Sequence, residues 1–243
     1  MKKVAVIGAG PSGITAIKNF IDEGFDVTAF ERCDGVGGNW RFNDPSGHSS
    51  VFETTHIISS KYTSFYEDYP LPDDASDYPS HKELLSYFDG YAEHFDIKKN
   101  IKFGTEVLSC KQLPNSRWLL KYKHLDGNDE ITLEFDALVV CNGHHHVPRY
   151  PEYKGEFSGE YIHSHDYKRA APFENKRVLV IGGGNSACDV AVETSRISQE
   201  TSLSWRRGYH LVPKFMYGLP ADVFAKRSRW IPQFLRIPFM KYM

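Results

Sequence analysis

Two short apolar runs in this chain each break into a glycine turn and then into a helical pattern. The first is Val4-Ala5-Val6-Ile7-Gly8-Ala9-Gly10-Pro11-Ser12-Gly13; the second is Val178-Leu179-Val180-Ile181-Gly182-Gly183-Gly184-Asn185-Ser186-Ala187. Gly8, Gly10 and Gly13 stand in the G-x-G-x-x-G spacing, and Gly182, Gly184 and Ala187 in its G-x-G-x-x-A variant, which sets a pyrophosphate on a helix N-terminus. One copy is a weak signal. Two copies predict two Rossmann-type dinucleotide sites on an α/β framework. Unbroken apolar runs read as parallel strands buried on both faces, and both are expected to be so.

The first copy carries further marks. Gly8 permits the tight turn, Gly10 lets the backbone approach a phosphate, and Gly13 lets helix and strand pack closely. Pro11 suits a first helical turn, where its missing N–H costs nothing, and Ser12 joins it there. Ile14, Ala16, Ile17, Phe20 and Ile21 then form an apolar stripe at helical spacing. A second strand, Asp26 to Phe30, ends in Glu31, eighteen residues after Gly13. An acid there binds ribose hydroxyls and favours a nucleotide without a 2′-phosphate; the ordinary alternative is a strand-end acid in solvent.

Composition bounds the class. With 243 residues, 41% hydrophobic and 25% charged, the chain is long enough for one large or two small globular domains. The net charge of −2, acids and bases interleaved, offers no clustered basic face, so no nucleic-acid partner is expected. Cys33, Cys110, Cys141 and Cys188 form no C-x-x-C pair; scattered thiols fit a reducing compartment and a cytoplasmic address. No apolar segment is long enough to span a bilayer. Trp230 to Met243 mixes aromatic, aliphatic and basic residues, but Pro232 and Pro238 spoil a continuous amphipathic helix, so a packed segment is favoured over a membrane-surface one.

Ser49 to Asp77 is aromatic and irregular, with Pro70 and Pro72 breaking any regular element, and reads as a functional loop. Ser80-His81-Lys82-Glu83 is a capping box opening a helix, with His81 and His94 expected at its surface. From Ile101 the period shifts towards two. Ile101–Phe103, Thr105–Val107, Trp118–Tyr122 and Ile131–Phe135 read as a β-meander, followed by a parallel-type strand, Ala137–Cys141, that ends in Asn142-Gly143. His144, His145 and His146 are adjacent and point different ways in extended chain, so they do not read as a metal site, and no metal is expected.

Two further motifs bring in a family. Gly35-Val36-Gly37-Gly38-Asn39-Trp40 is a glycine-dense turn soon after Glu31. Phe157-Ser158-Gly159-Glu160-Tyr161-Ile162-His163-Ser164-His165-Asp166-Tyr167 matches F-x-G-x-x-x-H-x-x-x-Y just before the second glycine turn. Together they resemble the flavin-containing monooxygenases, the class B flavoprotein monooxygenases. Tyr167, where the Baeyer–Villiger relatives have Trp, favours the branch that oxygenates nitrogen and sulfur.

The resemblance covers Val4 to about Lys214. It implies a glutathione-reductase-like FAD domain with a β-meander over residues 1–168, then an NADPH domain over 169–243. Gly37, Gly38 and Trp40 would lie along the flavin, the Ser49–Asp77 loop would cover it, and Asn142 and Gly143 would approach its adenine end. Phe157, Gly159, His163 and Tyr167 would be a linker that transmits relative position, with His163 structural rather than a base. Asn185 and Ser186 would hydrogen-bond the second pyrophosphate. The strand Thr201–Trp205 ends in Arg206-Arg207 rather than an acid, which accommodates a 2′-phosphate; two solvated arginines are the alternative. Lys214 is a further candidate for positive charge there.

The implied chemistry uses FAD, NADPH, O2 and a small nucleophile, an amine nitrogen or a sulfide sulfur, oxygenated through a flavin hydroperoxide. The protein supplies orientation and dryness; no catalytic acid or base is nominated. Two departures qualify the resemblance. Family members carry Asn in a segment of the type N-S-S-K, whereas His56-Ile57-Ile58-Ser59-Ser60-Lys61 places Ile58 there, which favours an uncoupled NADPH oxidase or flavin reductase. Family members also continue past this length. The chain is then a fragment, with its NADPH domain incomplete, or its missing strands come from another chain, as in a homo-oligomer; a nucleotide-binding module without turnover is the third reading.

Overall fold

The computed structural model describes residues 1–208 and 211–230. In chain order its regular elements are β1 (Lys3–Ile7), α1 (Pro11–Asp22), β2 (Asp26–Phe30), α2 (His81–His94), β3 (Ile101–Lys102), β4 (Thr105–Gln112), β5 (Trp118–His124), β6 (Glu130–Phe135), β7 (Ala137–Val140), β8 (Arg177–Ile181), α3 (Asn185–Ser195), β9 (Glu200–Ser204), β10 (Phe215–Met216), β11 (Leu219–Pro220) and α4 (Ala221–Arg227). The stretch expected to pack at the end lies, beyond Trp230, outside the described residues.

β3, β2, β1 and β7 form one parallel sheet in that order, with Val4 paired to Val27 on one side and to Ala137 on the other. The period-two alternation of β1 decides what lies on each face. Val4 and Val6, with Val27 and Ala29 of β2, pack with Ile14 and Ile17 of α1 and Leu84, Phe88 and Tyr91 of α2. Ala5 and Phe30 face the other way, onto Leu120, Tyr122 and Phe135 of the antiparallel sheet β4-β5-β6. The Phe30 ring lies 4.9 Å from Tyr122 and 6.0 Å, edge-on, from Phe135. The first apolar run is thus buried on both faces, as expected.

Three expectations are corrected. Ile101 and Lys102 belong to the parallel sheet and not to the meander: they pair with Ala29 and Phe30, and Gly104, at φ +60°, turns the chain out into β4. His81 is buried, 3% exposed, with its Nε2 3.2 Å from the Glu53 carbonyl; burial holds its pKa below the usual imidazole value. It is the first residue of α2, whose N-terminus is clamped down by the capping box: Ser80 Oγ accepts the Glu83 N–H at 3.3 Å and Glu83 Oε2 accepts the Ser80 N–H at 2.8 Å.

The third concerns β8. Among the described residues it pairs, in parallel, with β9 alone, and Leu179 and Ile181 are 62% and 50% exposed. α3 packs against this two-stranded sheet, and among the described residues nothing covers the face carrying those two side chains. An apolar run fits burial on both faces but does not supply the second cover.

Candidate functional site

The first glycine turn is set by steric exclusion. Gly8 sits at φ +96°, a backbone conformation that L side chains rarely adopt, and donates its N–H to the Phe30 carbonyl at 2.8 Å. A methyl group on it would lie 2.5 Å from the Cys141 carbonyl oxygen, just past the end of β7. One on Gly13 would lie 2.0 Å from the Gly8 carbonyl oxygen. Helix and strand therefore approach as closely as backbone allows. The N-cap of α1 is Gly10, Pro11 follows, and no side chain caps the helix. Its opening N–H groups are the kind of donor that suits an anion.

The G-G-N-W turn lies directly behind. Gly37 donates its N–H to the Ala9 carbonyl at 3.1 Å, and a methyl group on Gly38 would stand 3.0 Å from the Gly10 Cα. Gly38–Trp40 makes one tight helical turn. Asn142 follows β7 with its Cα beside Gly8, and both Asn142 and Gly143 are exposed.

Glu31 is not a solvated strand-end acid. It is 7% exposed, and its two oxygens accept the Ala9 N–H at 2.6 Å and the Cys33 N–H at 2.8 Å. A carboxylate has about four acceptor positions, so two remain for hydroxyl donors. Nearby, Cys33 Sγ lies 3.1 Å from Asp44 Oδ2; burial first, then that carboxylate, pushes the thiol up to about 12, which leaves it inert. Spacing gave no sign of a second feature here: His48 and His146 stack with centroids 4.3 Å apart and planes 9° from parallel. Burial and then His146 hold His48 below its usual pKa. Among the described residues no group of three or more His, Cys, Asp or Glu side chains is placed to hold a metal.

The irregular loop after the first site is pinned by aromatics. Tyr66 packs on Tyr87 and Tyr91, and its hydroxyl donates to the Pro11 carbonyl at 2.8 Å. Ile58 is 71% exposed. Ser60 and Thr63 both donate to Asp222 of α4, so residues after the second site close on this loop. Lys214, expected near the arginines, is committed here: its ammonium bonds His56 and sits 5.2 Å above the Tyr78 ring.

The fingerprint segment lies between the sheets. Phe157 is 75% exposed and folds its ring over Gly159. His163 Nδ1 accepts the His165 N–H at 3.1 Å, a structural use of the ring. Tyr167 is buried, and its hydroxyl donates to Glu193 Oε2 on α3 at 2.7 Å. Burial and then Glu193 push its pKa up.

The second turn repeats the first with looser contacts. Gly182, at φ +142°, donates to the Ser204 carbonyl at 2.9 Å. Gly184 is the uncapped N-cap of α3, which begins at Asn185 and Ser186. A methyl group on Gly184 would meet nothing within 4 Å. Arg206 and Arg207 follow β9 and are exposed, and among the described residues no carboxylate pairs with either.

Two strand–glycine-turn–helix units, each with a bare helix N-terminus, define a protein built on tandem Rossmann-type dinucleotide folds. The flavin-binding monooxygenase-like family model matches residues 1–242, and the chain belongs to that family. Human flavin-containing monooxygenase 2 is 40% identical over 240 residues, 94% of this chain and 44% of that protein. Human flavin-containing monooxygenase 5 is 40% identical over 234 residues, 91% of this chain and 43% of that one. The chain thus spans less than half the length of these curated relatives.

Among solved structures, S-allyl-L-cysteine S-oxygenase from Allium sativum superposes with a TM-score of 0.80 at 28% identity, over 90% of this chain and 54% of that one. Cyclohexanone monooxygenase from Rhodococcus, solved with NADP+, gives 0.67 at 26% identity, over 87% and 39%.

Proposed function

We propose that this chain carries the FAD site and the NADPH site of a monooxygenase that oxygenates soft nucleophiles, amine nitrogen or sulfide sulfur. The single observation that carries the reading is the pair of glycine turns, each opening a helix that no side chain caps. Residues 1–168 belong to the FAD-binding domain and residues 169–243 to the NADPH-binding domain.

The residues present suit both groups. At the first turn the N–H groups of Ser12 and Gly13 face a pyrophosphate, with Gly10 and Gly38 leaving room for it. Glu31 keeps two acceptor positions for ribose hydroxyls. Gly37, Gly38 and Trp40 line the flavin, and Asn142 and Gly143 border the adenine end. At the second turn Gly182, Gly184, Asn185 and Ser186 receive a pyrophosphate, while Arg206 and Arg207 hold a 2′-phosphate that an acid would repel. A flavin held at the first turn would supply the activation of O2 that side chains lack. The Ser49–Asp77 loop, held by Tyr66 and Asp222, keeps water from the flavin. Four free cysteines fit a cytoplasmic address; among the described residues no helix is long and apolar enough to cross a membrane.

One observation favours a second reading. The exposed Ile58 offers no amide where the family resemblance expects one, so reduced flavin would lose electrons to O2 as peroxide. The test is to supply a tertiary amine or a thioether and measure oxide and hydrogen peroxide formed per NADPH consumed. Near-equal oxide and NADPH support oxygenation. Peroxide equal to NADPH, with no oxide, supports the oxidase. Neither product, with no flavin retained, contradicts both.

A further inference from the structure

Two consecutive residues in the linker tie the 49–53 segment to the second glycine unit. Tyr167 reaches the second glycine unit through Glu193, and its ring packs on Phe52 and Phe173 at 5.5 and 5.7 Å. Lys168 reaches the first. Its ammonium donates to the Ser49 carbonyl at 2.6 Å and the His165 carbonyl at 3.0 Å, and approaches the Val51 carbonyl at 3.5 Å. Its own carbonyl accepts the Glu53 N–H at 2.9 Å.

The path continues inward. Ser49 Oγ donates to the Asn39 carbonyl at 2.6 Å, and Asn39 Oδ1 accepts the Ser50 N–H at 2.8 Å. Asn39 lies in the Gly38–Trp40 turn that backs onto Gly10. On the other side Glu193 stands on α3, whose N-terminus is the second glycine turn. Hydrogen bonds joined by short stretches of main chain therefore connect the last turn of α3 to the turn behind the first bare helix N-terminus, through Tyr167 and Lys168.

Lys168 is an unusual choice for a mere filler. A half-buried ammonium without a carboxylate partner among the described residues is costly. Burial pushes its pKa down, and Asp166 offsets this only in part. Three carbonyl acceptors match its three donors. An apolar side chain of the same length would leave those carbonyls unmet.

We propose that Lys168, acting with Tyr167, is a positioning residue that fixes the spacing between the two dinucleotide turns. Resting on the cofactor reading above, this makes Lys168 set the approach of nicotinamide to flavin. A misplacement of about 1 Å between reacting atoms costs on the order of 100-fold in rate.

The test compares the wild-type chain with Lys168→Met, Lys168→Arg and Tyr167→Phe. Three quantities are measured: FAD and NADPH affinity, the anaerobic rate of flavin reduction by NADPH, and amide hydrogen exchange. Lys168→Met is expected to slow reduction by on the order of 100-fold with both affinities nearly unchanged. Lys168→Arg restores much of the rate, and Tyr167→Phe, which removes the donor to Glu193, slows reduction from the other end. Amides at 49–53 and in α3 lose protection together in Lys168→Met.

Reduction by Lys168→Met at the wild-type rate overturns the proposal. So does loss of protection confined to 49–53 with α3 unchanged. If wild type retains no flavin, the cofactor reading fails, and the exchange pattern alone still decides whether the bridge exists. Should Lys168→Met not fold, Tyr167→Phe decides: wild-type reduction and wild-type protection at 49–53 overturn the bridge.

Discussion

The same motif is held in two different ways at the two ends of this chain. At the first turn, backbone crowds backbone: a methyl group on Gly8 or Gly13 would fall 2.5 or 2.0 Å from a carbonyl oxygen. At the second, a methyl group on Gly182 would meet only Ala187 Cβ, at 3.4 Å, and one on Gly184 nothing within 4 Å. Gly8 and Gly13 are required by the fold itself. At Gly184 the fold makes no such demand, and the proposed NADPH site supplies one. A third helix sharpens the contrast. α2 has its N-terminus closed by Ser80 and Glu83, whereas α1 and α3 begin at glycine with no side-chain cap.

Gly13→Ala breaks the comparison most directly. The added methyl clashes with main chain that cannot yield, and the cost is about 3 kcal/mol, read as a lower denaturation midpoint with loss of bound FAD. Gly184→Ala leaves the midpoint within about 0.5 kcal/mol of wild type and weakens NADPH binding by at least about tenfold, equivalent to about 1.4 kcal/mol. Equal stability losses in both variants would erase the distinction.

Arg206→Ala with Arg207→Ala tests the other half of the second site. Two exposed side chains contribute little to stability, so thermal unfolding stays put while the preference for NADPH over NADH falls by about tenfold or more. An unchanged preference would return both arginines to ordinary solvated charges.

The smallest effect belongs to the capped helix. Ser80→Ala costs about 1 kcal/mol and leaves dinucleotide binding intact. Burial alone would raise the Glu83 carboxyl, but the N–H groups of Ser76 and Ser80 and the Ser80 hydroxyl bring it down to about 2. A carboxyl depressed on folding stabilises above its unfolded value of 4.5, and that contribution fades as pH falls from 4.5 towards about 2. Unfolding measured from pH 6 to pH 2 should show this loss in wild type and a flatter profile in Ser80→Ala.

Much of the framework was legible beforehand because its signals are local. Gly8 to Gly13, the capping box at Ser80 and the strands of the meander each carry their instruction within a few residues. What was not legible depends on distant partners. β8 reads like β1, but burial depends on what arrives to cover Leu179 and Ile181. His81 looks like a surface residue on a helix and is buried because the Thr54–His56 segment passes over it, with Thr55 taking its N–H and Glu53 facing its ring. Lys168 has no motif of its own; its role follows from three carbonyls supplied by segments over a hundred residues apart and by its own linker. The ribose role of Glu31 was nominated from its offset, and the structure adds that its carboxylate is buried and half-satisfied by backbone N–H groups.

The central claim is that one turn holds a flavin and the other the nicotinamide that reduces it. The most direct measurement is an anaerobic titration of the purified chain, loaded with FAD, followed by visible absorbance. The account predicts a yellow protein that bleaches on adding one equivalent of NADPH and far more slowly with NADH. A protein that takes up no FAD, or one that keeps its colour with either nucleotide, would contradict it.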